Sequence, residues 1–104
     1  MNQTTPNRNV DIDESLDQLP DLVANSLLKW RMATLEREKT EALLYIQFKA
    51  DGEKRTADEI KALVRSDGSR YQVVLAEARA EADYTRIYER LLSIKKQASM
   101  RAAF

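Results

Sequence analysis

Apolar residues fall into three runs along the chain, separated by two short polar breaks. Between about residue 22 and residue 49, Leu28, Met32, Leu35, Ala42 and Ile46 recur at spacings of three and four, with Lys39 filling one place in the row. This spacing predicts a first helix with one apolar stripe between charged flanks, and it leaves Trp30 off the stripe. Asp21, directly after Pro20, predicts the N-cap, and Asp51-Gly52 predicts the end. Leu43, Leu44, Tyr45 and Phe48 make the C-terminal end apolar nearly all round, so burial on more than one side is expected there.

The second helix is short. Thr56-Ala57-Asp58-Glu59 has the form of a capping box, in which a hydroxyl and a carboxylate each satisfy an amide that the first turn leaves without a partner. Ile60, Leu63 and Val64 form its apolar face, and Ser66-Asp67-Gly68-Ser69 breaks it. The third helix is predicted over about 70–101, with no Gly or Pro inside. Ala80, Tyr84, Ile87, Leu91, Ile94 and Ala98 alternate spacings of four and three, which is the a/d seam of a heptad repeat. At 1.5 Å per residue such a helix spans roughly 48 Å, whereas a compact 100-residue domain has a radius of gyration of about 13 Å. The seam must therefore pack along the first helix, on a second copy, or both. Self-association through Tyr84, Ile87, Leu91 and Ile94 is the expectation. The fold class predicted is all-α: two long helices and one short one, an antiparallel hairpin or coiled-coil-like arrangement, oligomeric.

Residues 1–20 read differently. Val10, Ile12, Leu16 and Leu19 are interleaved with acids, the composition of an arm that orders only against something else. The division expected is an acidic arm over 1–20 and a single helical domain over 21–104.

Composition narrows the chemistry. The 104 residues include no Cys and no His, two Gly and two Pro. This excludes a disulfide framework, the usual zinc sites, a thiol nucleophile and a Ser-His-Asp triad. Two glycines cannot build a phosphate-cradling Gly-rich loop. Glu36, Glu38 and Glu41, and Glu77, Glu81 and Asp83, interleave with Arg37, Lys39 and Arg79 like an ordinary solvated helix face. No enzymatic activity, catalytic residue, metal or cofactor is expected. No run approaches the roughly 18–20 apolar residues of a membrane span, and the first fifteen residues lack the apolar core of a secretory leader. A cytoplasmic protein is expected.

Seventeen basic and seventeen acidic residues cancel overall but not locally. Residues 1–22 set Arg8 against Asp11, Asp13, Glu14, Asp17 and Asp21, while residues 85–104 set Arg86, Arg90, Lys95, Lys96 and Arg101 against Glu89. Within that last stretch, Lys95, Lys96 and Arg101, at the end of the third helix, suit compensation of the helix dipole or an anion equally. A second group, Lys49, Lys54, Arg55, Lys61 and Arg65, surrounds the first connection, with Tyr45 and Phe48 one turn upstream. Cations beside aromatic rings suit single-stranded nucleic acid, where phosphates meet Lys or Arg and bases stack on rings. Asp51, Glu53, Asp58 and Glu59 share that window, and rings so placed also serve as core.

The chain resembles the small phage recombination mediators of the UvsY family over residues 40–104. The likeness rests on a Trp-containing first helix with a basic, aromatic end, the segment Lys61-Ala62-Leu63-Val64-Arg65-Ser66-Asp67 before a long last helix, and the ending Met100-Arg101-Ala102-Ala103-Phe104. It implies a protein that assembles rather than catalyses. It implies a ring-like homo-oligomer that binds single-stranded DNA and helps load a recombinase against a competing single-strand-binding protein. Lys49, Lys54 and Arg55 would then contact phosphate, and Tyr84, Ile87, Leu91 and Ile94 would build the oligomer. Two other readings fit the residues. One is a small helical phage interaction protein (an inhibitor, scaffold or assembly chaperone) that acts through its coiled-coil surface and acidic arm without nucleic acid. The other is a DNA mimic, which the balanced charge of the middle segment disfavours.

Overall fold

The computed structural model describes the backbone of residues 8–102 and the side chains of residues 17–102. Three helices follow one another: α1 (Arg8–Ala50), α2 (Ala57–Ser66) and α3 (Gly68–Ala102), with no strand among the described residues. α1 and α3 form an antiparallel hairpin, and α2 folds back over its closed end. The molecule is a rod of 70 × 35 × 17 Å with a radius of gyration of 22.0 Å, far from the roughly 13 Å of a compact domain this size. The all-α class and the hairpin expected from the heptad spacing are both present.

Local chemistry sets the breaks. α1 ends where Gly52 adopts φ 88°, a left-handed conformation that a side chain would strain. Thr56, in extended conformation, caps α2 by accepting the Glu59 amide at 3.2 Å. Asp67 alone joins α2 to α3. Its amide closes α2 on the Val64 carbonyl at 3.2 Å, and its carboxylate accepts the Ser69 amide at 2.8 Å. One residue thus caps one helix and starts the next, which forces the sharp return.

Two of the contacts between α1 and α3 mark the register along the hairpin. Arg37 meets Glu77, and seven residues back on α1 and seven forward on α3, Trp30 meets Tyr84 with ring centroids 5.4 Å apart. The same step of seven matches Val23 on α1 to Leu91 on α3 in this register. The α3 seam behaves as its spacing predicts: Leu91 is buried, and Ala80, Tyr84, Ile87, Ile94 and Ala98 are half-buried. In this chain those positions face α1.

The first helix differs from its prediction twice. It does not start at Asp21 but runs unbroken from Arg8 through Pro20. Proline removes one backbone hydrogen bond and usually kinks a helix. Here Leu19 and Ser26, on either side of it, are both buried, while Pro20 itself is exposed. Docking on a partner helix as long as α3 outweighs the local break. The arm expected over 1–20 is therefore helical from Arg8; the side chains of Val10, Ile12 and Leu16 lie outside the described residues.

The second difference is the face that α1 buries. Leu28, Met32, Leu35, Ala42 and Ile46 are exposed, not packed inward. The row that is buried or half-buried instead is Leu19, Val23, Ser26, Trp30, Ala33, Arg37, Thr40 and Leu44, again spaced by four and three, and from it Trp30 and Arg37 meet α3. Polar and small residues hide this seam from a hydrophobicity pattern. Ser26 can sit there because its hydroxyl donates to the Val23 carbonyl of its own helix at 2.9 Å.

Candidate nucleic-acid interface

The closed end of the hairpin is where the three helices meet. Leu44 of α1 with Ile60 and Val64 of α2 form the one cluster of buried apolar residues among the described residues, and Tyr45 and Phe48 pack against it. The α2 face predicted from Ile60, Leu63 and Val64 is the one buried, Leu63 only partly. Burying this face orients the rest of α2: with Ile60 and Val64 inward, Lys61 and Arg65 stand side by side one turn apart on an exposed flank.

That flank forms one wall of an open groove. Glu41 and Tyr45 of α1, Lys61, Val64 and Arg65 of α2, and Arg70 of α3 line it. Tyr45 thus has two roles, with part of its ring against the core cluster and part reaching the groove. Glu41, the one acid in the groove lining, is already engaged. Its carboxylate takes Arg70 Nε at 2.7 Å and Arg37 Nη1 at 2.7 Å, while Arg37 Nε donates to Glu77 at 2.6 Å. The Arg70 hydrogen bond, then that of Arg37, holds the Glu41 carboxyl below its ordinary value of 4.5 despite partial burial. Hydrogen bonds from Thr34 and then Arg37 lower Glu77 likewise, and Glu77 foremost raises Arg37. This four-residue chain of charges ties α3 to α1 just below the groove and neutralises the acid in it.

The fold does not bring the five cations singled out by sequence into one depression. Lys61 and Arg65 share the groove. Arg55 lies in a separate shallow depression with Glu59, Ala62, Leu63 and Ser66. It is also held in place: it pairs with Asp51, donates to the Phe48 carbonyl at 2.8 Å and sits 5.8 Å above the Phe48 ring. It therefore caps the C-terminus of α1. Its bond to Asp51 lowers that carboxyl and raises the guanidinium. Phe48, covered by Arg55 and packed on the core, is no stacking platform. Lys49, in the last turn of α1, and Lys54, in the connection, are exposed but line neither depression. None of Lys49, Lys54, Lys61 and Arg65 enters an ion pair among the described residues.

Sequence reasoning missed Arg70 and the role of Glu41. The available signal was the single-residue break: with only Asp67 between helices, Arg70 must start α3 close to the end of α2, and its Nη1 lies 3.4 Å from the Arg65 carbonyl.

Acid should weaken the junction. A folded-state pKa below the ordinary 4.5 means that Glu41 and Glu77 contribute fully above that pH, and that the contribution disappears as pH falls through the depressed values. Glu41→Gln is expected to cost about 1 kcal/mol at pH 7, in keeping with a partly exposed network, and to flatten the acid limb of stability. Urea melts at pH 7 and at pH 3.5 test this; an unchanged difference between the two pH values would remove the network from the account.

Among the described residues no group of three or more Asp or Glu is placed to hold a metal ion, and no helix is long and apolar enough to cross a membrane. No known protein family matches the chain, and neither a curated protein nor a solved structure matches it.

Proposed function

We propose that the protein is a non-enzymatic single-stranded DNA-binding protein that works as an oligomer and helps load a recombinase onto the strand against a competing single-strand-binding protein. The observation that carries strand binding is the groove at the closed end of the hairpin. There Lys61 and Arg65, in no ion pair among the described residues, share the groove with Tyr45, beside an acid already neutralised by Arg70 and Arg37. Phosphates would meet the two cations and a base would stack on the accessible part of the ring. The recombinase comes from the resemblance to the UvsY mediators alone. One groove offers too few phosphate contacts for tight binding, so repetition in an oligomer supplies the affinity through effective concentration.

The test is fluorescence anisotropy of a labelled single-stranded oligonucleotide, at low and at physiological salt, with a duplex control. Wild-type binding should prefer the single strand and fall with salt, by a slope of about −0.7 for each phosphate engaged. Lys61→Glu with Arg65→Glu should weaken it by more than about tenfold, with helicity unchanged because both side chains are exposed. Absence of wild-type binding at micromolar protein and low salt would end this reading. The helical interaction protein would then be the account to pursue. Arg55→Glu is a poor probe, because it also uncaps α1.

A further inference from the structure

α1 carries two seams on opposite sides, and the hairpin uses one of them. Leu28, Met32, Leu35, Lys39, Ala42 and Ile46 repeat by four and three, and at 3.6 residues per turn they lie nearly across the helix from Trp30, Arg37 and Leu44. This outer row is bare: Leu28 is 57% exposed, Met32 60%, Leu35 64% and Ile46 60%. An exposed row of this kind, apolar at every place but Lys39, marks a contact surface.

We propose that a second copy of this chain covers the stripe, with the two α1 helices antiparallel about a two-fold axis near residues 33 and 34. Charge complementarity identifies the occupant. Lys29 and Glu36 border the stripe on one side, and Arg31 and Glu38 border it on the other; all four are exposed and enter no ion pair among the described residues. On each side a cation is followed seven residues later by an acid. Setting Met32 against the second copy's Leu35 in antiparallel register brings Lys29 beside the second copy's Glu36, and Arg31 beside the second copy's Glu38. The two-fold axis doubles both pairs, so four opposite-charge contacts flank the apolar centre. Leu43 then comes beside the second copy's Leu22, which accounts for two further exposed leucines, at 50% and 48%. Lys39 lies across from Leu28, its stem covering the leucine while its ammonium reaches water.

The alternatives meet like charges. A parallel pair would stack Lys39 on Lys39. An antiparallel pair slipped by one heptad would set Glu36 against Glu36 and Glu38 against Glu38. The flanking charges therefore select one register as well as permitting it. This deepens the oligomeric part of the reading above and is independent of DNA binding, since the stripe contains none of the groove residues.

Sedimentation equilibrium across micromolar concentrations, with circular dichroism alongside, tests it. Wild type should show twice the 12.0 kDa chain mass. Met32→Glu with Leu35→Glu should yield monomer with unchanged helicity and a melting curve that no longer depends on concentration. Glu36→Lys with Glu38→Lys should also yield monomer, and adding Lys29→Glu with Arg31→Glu should restore the dimer. Monomeric wild type at 100 μM (about a hundredfold above a micromolar Kd), or a dimer that survives Met32→Glu with Leu35→Glu, overturns the interface. Failure of the fourfold charge exchange to restore the dimer overturns the antiparallel register. Loss of single-strand binding in the monomeric variant tells whether strand binding needs the dimer and leaves the interface result standing.

Discussion

Ile60→Asp is expected to release α2 from the hairpin while leaving α1 and α3 paired. Ile60 is 4% exposed and shares its contacts with Leu44 and Val64. Removing such an aliphatic side chain costs about 2–5 kcal/mol, and a carboxylate in its place adds a charge that the cluster cannot solvate. α2 has ten residues, below the roughly 12–15 at which an isolated helix is even marginal in water. Once undocked it will unwind. Far-UV circular dichroism should lose about a tenth of its helical signal, in proportion to helices of 43, 10 and 35 residues. Amide exchange should lose protection over 57–66 and keep it through the hairpin seam. Because docking of α2 is what sets Lys61 and Arg65 beside Tyr45, single-strand binding should fall with it. Retained protection over 57–66 would mean that something other than this cluster holds α2.

The second large effect is expected at the other end of the hairpin. Leu91 is the one buried residue of α3, at 6% exposure. Leu91→Asp should lower the stability of the pairing by at least about 3 kcal/mol, combining a lost leucine with a charge in the seam. That corresponds to a melting temperature lower by at least roughly 10 °C for a chain this size. The effect should appear in the isolated chain at any concentration, because the seam is intramolecular. Leu35→Glu, on the outer stripe, should leave the monomer's intrinsic stability nearly unchanged. A Leu91→Asp chain that melts like wild type, with only its mass altered, would place Leu91 in an interface between copies and not in the hairpin.

Much of the fold was legible because the decisive signals are local. Gly52, the Thr56 cap and the Ser66–Ser69 break each act within a few residues, and they place the end of α1, both ends of α2 and the start of α3 close to where they occur. The α3 seam was legible because apolar residues occupy nearly every place in it. The inner seam of α1 was not, since Ser26, Arg37 and Thr40 fill places that a hydrophobicity pattern reads as outward. Two of them are accommodated by something distant or specific: Arg37 by Glu77 on α3, and Ser26 by a carbonyl in its own turn. Pro20 misled in the same way, through a local rule that long-range docking overrides. At the candidate site, Lys61 and Arg65 were legible only as two of the five cations around the first connection. Arg55 was not separable from them, because whether a cation is free or engaged depends on a carbonyl and a carboxylate that only the turn after α1 brings to it.

The sequence by itself determined that this chain is helical, where its helices break, and that α3 presents a heptad seam, because propensity, capping and periodicity are properties of neighbouring residues. The tertiary structure decided which face of α1 meets that seam, which cations remain exposed beside Tyr45, and which apolar row is left bare. Those outcomes depend on pairing two helices at one register. With two nearly opposite rows available on α1, the choice is made by Trp30 on Tyr84, Arg37 on Glu77 and Arg70 on Glu41, contacts between residues 29 to 54 positions apart that no local pattern contains.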